Sequence, residues 1–106
     1  MPEGESKKDS KTAVQVRKIL AAVKKSAPGG AVELRIPPYG AIQCVAGSKH
    51  RRGNPANQVE MSSDSLIKIF NNPDLWGQMC ESGEISASGS LSDLSGLFKS
   101  ISTFEM

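Results

Sequence analysis

The sequence has few of the residues that most often carry out chemistry in proteins. Its 106 residues include two cysteines, Cys44 and Cys80, and one histidine, His50. Two cysteines are too few for a disulfide scaffold, and three soft ligands at most are too few for a structural zinc site. We therefore expect free thiols, no metal and no cofactor.

Long apolar runs and strong charge are also missing. No apolar stretch reaches the ~18 residues needed to cross a bilayer, so we expect no stable membrane insertion. The first residues, MPEGESKKDSK, lack the apolar region of a signal peptide, and we expect a cytoplasmic protein. A net charge of +2 is too mild to indicate a nucleic-acid partner. We also expect the protein to be a monomer.

Apolar periodicity divides the chain into a polar start and one folded domain. Residues 1–11 are polar and charged, and we expect them to form a disordered tail. Residues 12–106 are predicted to form a single domain. The predicted elements are a helix from Thr12, strands at 31–36, 40–46 and 58–61, helices from Ser62 and Asn72, a strand at 85–89 and a last helix from Ser90.

Turn and capping residues support these boundaries. Pro37 and Pro38 end the first strand because neither has an N–H for the strand ladder. Ser62 and Asn72 are good N-caps, and Gly83 is typical of a helix C-terminus. The segment from Ser90 to Asp93 resembles a capping box, which places Leu91 on the apolar face of the last helix. Short links between the first three strands predict an antiparallel meander within an α+β fold, with helices on one face of the sheet.

A basic loop, GSKHRRGNPAN at residues 47–57, stands out between two strands. It could bind a phosphate, a carboxylate or an acidic protein partner, although it lacks the glycine and lysine spacing of a P-loop. An arginine of the loop could instead bind a carboxylate such as Glu60, and a charge run is most often simply solvated. The residues considered for an anion or partner are Lys49, His50, Arg51 and Arg52.

Cys44 and His50 raise the alternative of a cysteine nucleophile, with Asn54 or Asn57 orienting the histidine. The basic residues beside His50 could lower the pKa of a thiol. However, Cys44 alternates with Val45 in a predicted strand, which is typical of a small apolar core residue. We therefore predict no catalytic residues and no enzymatic activity.

Large apolar residues are concentrated in the second half of the chain. Such side chains could either fill a core or line a ligand cavity, and the pattern leaves both open. The residues predicted to line a cavity are Ile42, Cys44, Val59, Met61, Phe70, Trp76, Met79, Leu97, Phe98 and Ile101.

The stretch VELRIPPYGAIQCVAGSKHRRGNPANQVEM, at residues 32–61, resembles the signature of the bacterial sterol carrier-like family. The shared features are a hydrophobic strand, Pro37-Pro38, an aromatic residue at Tyr39, the segment 41–44 and the pattern around Arg52-Gly53. Downstream, GEISASGSLSDLSGLF is similar to the family's ending. Together the two segments extend the resemblance over most of the chain, to about Phe98.

The resemblance implies a sheet of about five strands with helices across one face, whereas the periodicity finds four. We therefore expect an antiparallel-rich sheet of four to five strands. The resemblance also implies an apolar tunnel between sheet and helices for fatty acyl chains, acyl-CoA or sterol-like lipids. The predicted function is a non-catalytic intracellular module that binds a lipid or acyl ligand. The alternative is an accessory protein-interaction domain that uses the basic loop at 49–53 and has no lipid cavity.

Overall fold

The computed structural model describes residues 2–47 and 57–105, and its side chains over 10–47 and 57–102. Within these residues the chain forms four α-helices, a short 3-10 helix and four strands. The elements in chain order are α1 (Pro2–Ser26), β1 (Val32–Ile36), β2 (Gly40–Cys44), β3 (Gln58–Met61), α2 (Ser63–Asn71), a 3-10 helix (Pro73–Leu75), α3 (Trp76–Ser82), β4 (Ile85–Ser88) and α4 (Ser95–Glu105).

The sheet is mixed, with strand order β2-β1-β3-β4, and the predicted α+β class is confirmed. β1 pairs antiparallel with β2, and β3 pairs antiparallel with β4. β1 and β3 run parallel, with Leu34 opposite Val59. The predicted antiparallel meander of β1, β2 and β3 is therefore wrong. The connection after β2 returns the chain to the far side of β1, so β3 starts at the same end of the sheet as β1.

One face of the sheet is apolar and the other is polar, as the alternation predicts. In β1, Val32, Leu34 and Ile36 are fully buried, whereas Arg35 is exposed. Arg35 lies opposite Glu60 of β3 on the polar face, and their side chains form an ion pair of 3.8 Å between Nε and Oε1. The helices therefore cover a single face of the sheet, which is the arrangement expected for a two-layer α+β domain.

The predicted boundaries of α2 and α3 are largely confirmed. The Ser62 hydroxyl caps α2 by accepting a hydrogen bond of 3.1 Å from the backbone N–H of Ser65. Gly83 ends α3 in the left-handed conformation. Asn72 occupies the predicted N-cap position before Pro73, but its side chain makes no cap hydrogen bond to the 3-10 helix that follows.

The last helix starts later than the sequence pattern predicts. A turn around Gly89 and Ser92, whose hydroxyl donates to the Gly89 carbonyl at 2.7 Å, precedes it. Asp93 then accepts hydrogen bonds from the N–H and the hydroxyl of Ser95, at 3.0 and 2.7 Å, and these lower the pKa of its carboxyl group. Leu91 consequently lies in the turn and is 41 % exposed, not on the apolar face of α4.

The first helix begins earlier than predicted, at Pro2 and not near Thr12. Val16, Ile19 and Val23, which recur at helical spacing along α1, are buried in the core. The side chains of residues 1–9 are outside the described part of the chain. The boundary between a polar tail and the domain therefore stays a prediction.

The core is one continuous apolar layer between the helices and the covered face of the sheet. Helices α1, α2 and α4 pack against one another, α1 also contacts β2, and α3 contacts β4. Close packing of this kind is expected to supply most of the domain's stability. The buried apolar residues are Val16, Ile19, Leu20, Val23, Ala31, Val32, Leu34, Ile36, Cys44, Val59, Met61, Leu66, Ile69, Trp76, Met79, Ile85, Leu94, Phe98 and Ile101.

Candidate functional site

The ten residues predicted to line a cavity come together in the apolar layer. Seven of them belong to the buried core, and the other three, Ile42, Phe70 and Leu97, are partly buried and pack against it. Trp76 of α3 stacks on Phe98 of α4 with ring centroids 6.2 Å apart and ring planes inclined by 29°. Such aromatic pairs add to the stability that burial alone provides.

The packing in this layer is tight at its centre. Cys44, Val59 and Phe98 have no surface accessible to a water-sized probe. A side chain that bordered an empty space wide enough for water would retain some accessible surface, so these three residues border no such space. An occupant between sheet and helices at this point would have to displace side chains that now contact one another.

A groove lies between α1 and α2 and has a volume of about 230 Å³. It reaches the core at Ile19, which belongs to the buried layer and is 6 % exposed. Phe70 is the one predicted cavity residue on this groove. The residues lining it are Gln15, Lys18, Ile19, Ala22, Ile67, Phe70 and Asn71.

Sequence reasoning missed six of these seven residues. Ile19 follows the apolar period of the first helix, but Gln15 and Lys18 beside it have no pattern that indicates a ligand site. Only the packing of α1 against α2, two elements far apart in sequence, brings Gln15 and Lys18 beside Ile67 and Asn71.

A second pocket, of about 300 Å³, lies at the ends of β3 and β4. Met61 is the predicted cavity residue found there, and the carboxylates of Glu60 and Glu84 also line it. Both carboxylates are ion-paired, Glu60 with Arg35 and Glu84 with Lys68, and this polar wall does not favour an apolar ligand. The residues lining this pocket are Pro37, Glu60, Met61, Ser62, Gly83, Glu84 and Ser86.

Both cysteines are free thiols, and their surroundings oppose nucleophilic chemistry. Cys44 is fully buried, and burial raises the pKa of its thiol to about 11. Burial, together with the negative charge of Asp93, raises the pKa of Cys80 as well. A thiol is reactive as the thiolate, which both environments disfavour. His50 and Asn54, the other members of the candidate triad, lie outside the described residues.

Cys44 should therefore resist alkylation in the folded protein. With iodoacetamide at neutral pH, we expect Cys80 to be modified before Cys44, because Cys80 is only partly buried. Both should react once the protein is unfolded in guanidinium. Mass spectrometry of the digested protein distinguishes the two sites. Rapid and selective modification of Cys44 in the folded state would instead favour a cysteine nucleophile.

Asn57 ties three segments of the backbone together. Its side-chain amide donates a hydrogen bond of 2.9 Å to the Ala31 carbonyl, and its side-chain oxygen accepts one of 2.8 Å from the N–H of Leu91. Its own carbonyl accepts a hydrogen bond of 3.0 Å from the N–H of Glu33. Asn57 therefore acts as a buried structural link between β1, β3 and the turn before α4.

Replacing Asn57 with alanine should lower the free energy of unfolding by about 1–3 kcal/mol, because it leaves the buried Ala31 carbonyl and the partly buried Leu91 N–H without their partner. Urea denaturation measures this change. Asn71→Ala is the matched control, because Asn71 is exposed at the end of α2 and should change stability by less than about 0.5 kcal/mol. Equal losses in the two variants would contradict the structural role of Asn57.

The basic loop residues Lys49, His50, Arg51 and Arg52 lie outside the described residues, so their anion-binding or partner-binding role stays a prediction. Glu60, considered as a partner for a loop arginine, has the Arg35 side chain beside it.

In the described part of the chain, no three His, Cys, Asp or Glu residues are grouped where they could hold a metal ion. No helix in that part is long and apolar enough to span a bilayer.

The mixed sheet covered on one face by four helices defines an open α+β domain. Residues 8–99 match the family described as "Bacterial SCP ortholog", and the chain belongs to this bacterial sterol carrier protein family. The resemblance seen in the sequence is thereby confirmed.

Comparison with individual proteins adds little to this assignment. No curated protein matches the chain. Among solved structures, the chain is similar to one titled "UbiJ-SCP2 Ubiquinone synthesis protein", with 13 % sequence identity and a TM-score of 0.48. That alignment covers 79 % of this chain and 75 % of the other.

Proposed function

We propose that the protein is a non-catalytic, cytoplasmic module that binds a lipid or acyl ligand. The ligand's apolar part enters through the groove between α1 and α2 and extends into the layer between helices and sheet. The observation that carries this proposal is that Ile19, a residue of the buried core, also forms part of the groove wall. The core residue Met61 likewise lines the second pocket, but that pocket also has Glu60 and Glu84 in its wall, whereas the groove has four apolar residues.

Membership of the sterol carrier family supports this proposal. The apolar contact between α1 and α2 supports it as well. Within the described side chains, no hydrogen bond or ion pair joins these two helices. Apolar contacts are non-directional, so helices held by them can separate without breaking specific polar pairs. An apolar ligand would replace the lost contacts with contacts of the same kind.

The size of the groove indicates that binding requires such a separation. Ligand pockets typically have volumes of about 300–1,000 Å³. The groove, at about 230 Å³, is smaller than this range, and the core beneath it is closely packed. We therefore expect α1 and α2 to move apart when a complete ligand binds, with each buried methylene contributing about 0.8 kcal/mol.

Trp76 offers a direct test because it is the single tryptophan of the chain and lies in the apolar layer. Titration with dodecanoate below its micellar concentration should change the Trp76 emission in a saturable way. The same titration with an acyl-CoA and a sterol would rank the ligand classes. If none of these lipids gives a saturable change, and calorimetry also detects no heat of binding, the proposed function is wrong.

A pair of variants tests whether the groove is the entry site. Ile67→Gln places an amide in the groove wall and should weaken dodecanoate binding about five- to tenfold, through loss of apolar contact. Leu91→Gln is the control, because Leu91 is exposed in the turn before α4 and lines neither of the two pockets described above. Equal affinities of the two variants would place the entry site elsewhere.

A further inference from the structure

From residue 10 onwards α1 carries charge of one sign, whereas its first turns include Glu3, Glu5 and Asp9. From residue 10 to the end of the helix at Ser26 it contains five basic residues and no acidic residue. The basic residues are Lys11, Arg17, Lys18, Lys24 and Lys25. A cluster of positive charge attracts a negatively charged group and repels a cation.

The groove between α1 and α2 combines this charge with apolar surface. Its apolar wall is formed by Ile19 and Ala22 of α1 and by Ile67 and Phe70 of α2. The polar residues that line it, Gln15, Lys18 and Asn71, all carry hydrogen-bond donors. Among the described residues that line the groove, Lys18 is the one charged residue and none is acidic.

We propose that this groove selects an acyl ligand with an anionic head group, and that Lys18 binds the anion while the chain lies against the apolar wall. This inference rests on the proposed function and adds the chemistry of the head group. Lys18 is exposed, and within the described residues it makes no ion pair or hydrogen bond. Its ammonium group is therefore available to a ligand in that part of the structure.

Two amphiphiles with the same chain length and opposite charge test the inference. Binding of dodecanoate and of dodecyltrimethylammonium is measured by isothermal titration calorimetry at about pH 8, where the carboxylate is ionised. The folded protein should bind dodecanoate more tightly. Lys18→Gln should weaken dodecanoate binding by about two- to fivefold, as expected for one charge-assisted contact at an exposed site.

Arg17→Gln is the matched control. It removes one positive charge at the next position of α1, and Arg17 does not line the groove. Its effect on dodecanoate should be less than about twofold, because a distant exposed charge is screened by salt. Glutamine is a good helix former, so both variants should keep the fold, which circular dichroism verifies.

The possible outcomes separate this inference from the proposed function. If both amphiphiles bind equally well, or if Lys18→Gln has no larger effect than Arg17→Gln, the assignment of an anion to Lys18 is overturned while lipid binding stands. If neither amphiphile binds, both are overturned. A preference for dodecanoate that depends on Lys18 and not on Arg17 supports the inference.

Discussion

Phe98→Ala should lower the free energy of unfolding by about 3–5 kcal/mol. Phe98 is fully buried, lies at the centre of the apolar layer and stacks on Trp76. Alanine would leave a cavity that closely packed neighbours can only partly fill. Because a domain of this size is stable by only about 5–15 kcal/mol in total, the variant is expected to be marginally folded. Urea denaturation followed by circular dichroism measures the change.

The control for this substitution is Leu91→Ala. It also removes a large apolar side chain, but one that is 41 % exposed in a turn. We expect a change of less than about 1 kcal/mol, since little buried area is lost. If Phe98→Ala were no more destabilising than Leu91→Ala, the layer between helices and sheet would not be the stabilising core described here.

Gly29→Ala should lower the free energy of unfolding by about 2–5 kcal/mol, through a backbone clash and an unfavourable backbone conformation. Gly29 has a φ of 146°, and a methyl group there would overlap the Val45 carbonyl. That carbonyl accepts a hydrogen bond of 3.0 Å from the N–H of Ala31, and the N–H of Val45 donates one of 2.7 Å to Ala27. The backbone of Val45 therefore cannot move without disturbing the junction between α1 and β2.

Gly40→Ala separates the cost of the backbone conformation from the cost of the clash with Val45. Gly40 has nearly the same φ, 145°, but a methyl group at this position would meet no atom within 4 Å. It should therefore show the conformational cost alone, about 1–3 kcal/mol, and a smaller loss than Gly29→Ala. Thermal and urea unfolding of both variants would compare them. Equal losses would show that the contact of Gly29 with Val45 has no energetic consequence.

Local elements could be predicted from the sequence because their causes are local. The bounds of β3 and the cap of α2 at Ser62 follow from alternation and from side chains within three residues of one another. The end of β1 before Pro37 follows from the missing N–H of proline. In each case the residues that determine the structure are neighbours in the sequence.

Pairing and packing could not be predicted because they depend on distant residues. The alternation in β1 and β3 is equally compatible with parallel and antiparallel neighbours, and the observed order depends on the path of the chain between β2 and β3. Asn57 looked like a member of a loop, but its hydrogen bonds reach Ala31 and Leu91. Leu91 fitted the helical stripe, yet the turn at Ser92 keeps it outside the helix.

The predicted ligand site also combines features that the sequence predicts with features that depend on distant residues. The sequence identified ten apolar residues, and these do come together in or against the core. It could not indicate how tightly they pack, because packing density is a property of the assembled layer. The groove between α1 and α2 depends on both helices, and Lys18 and Asn71 become neighbours only in the folded protein.

The central claim is that the protein binds a lipid or acyl ligand. Native mass spectrometry of the protein purified from its own host under gentle conditions tests it most directly. We predict a population with added mass that corresponds to a bound lipid with an anionic head group, and a smaller population of that mass when α2 is altered by Ile67→Gln. A protein that carries no lipid from its host, and takes up none when lipids are added, would contradict the claim.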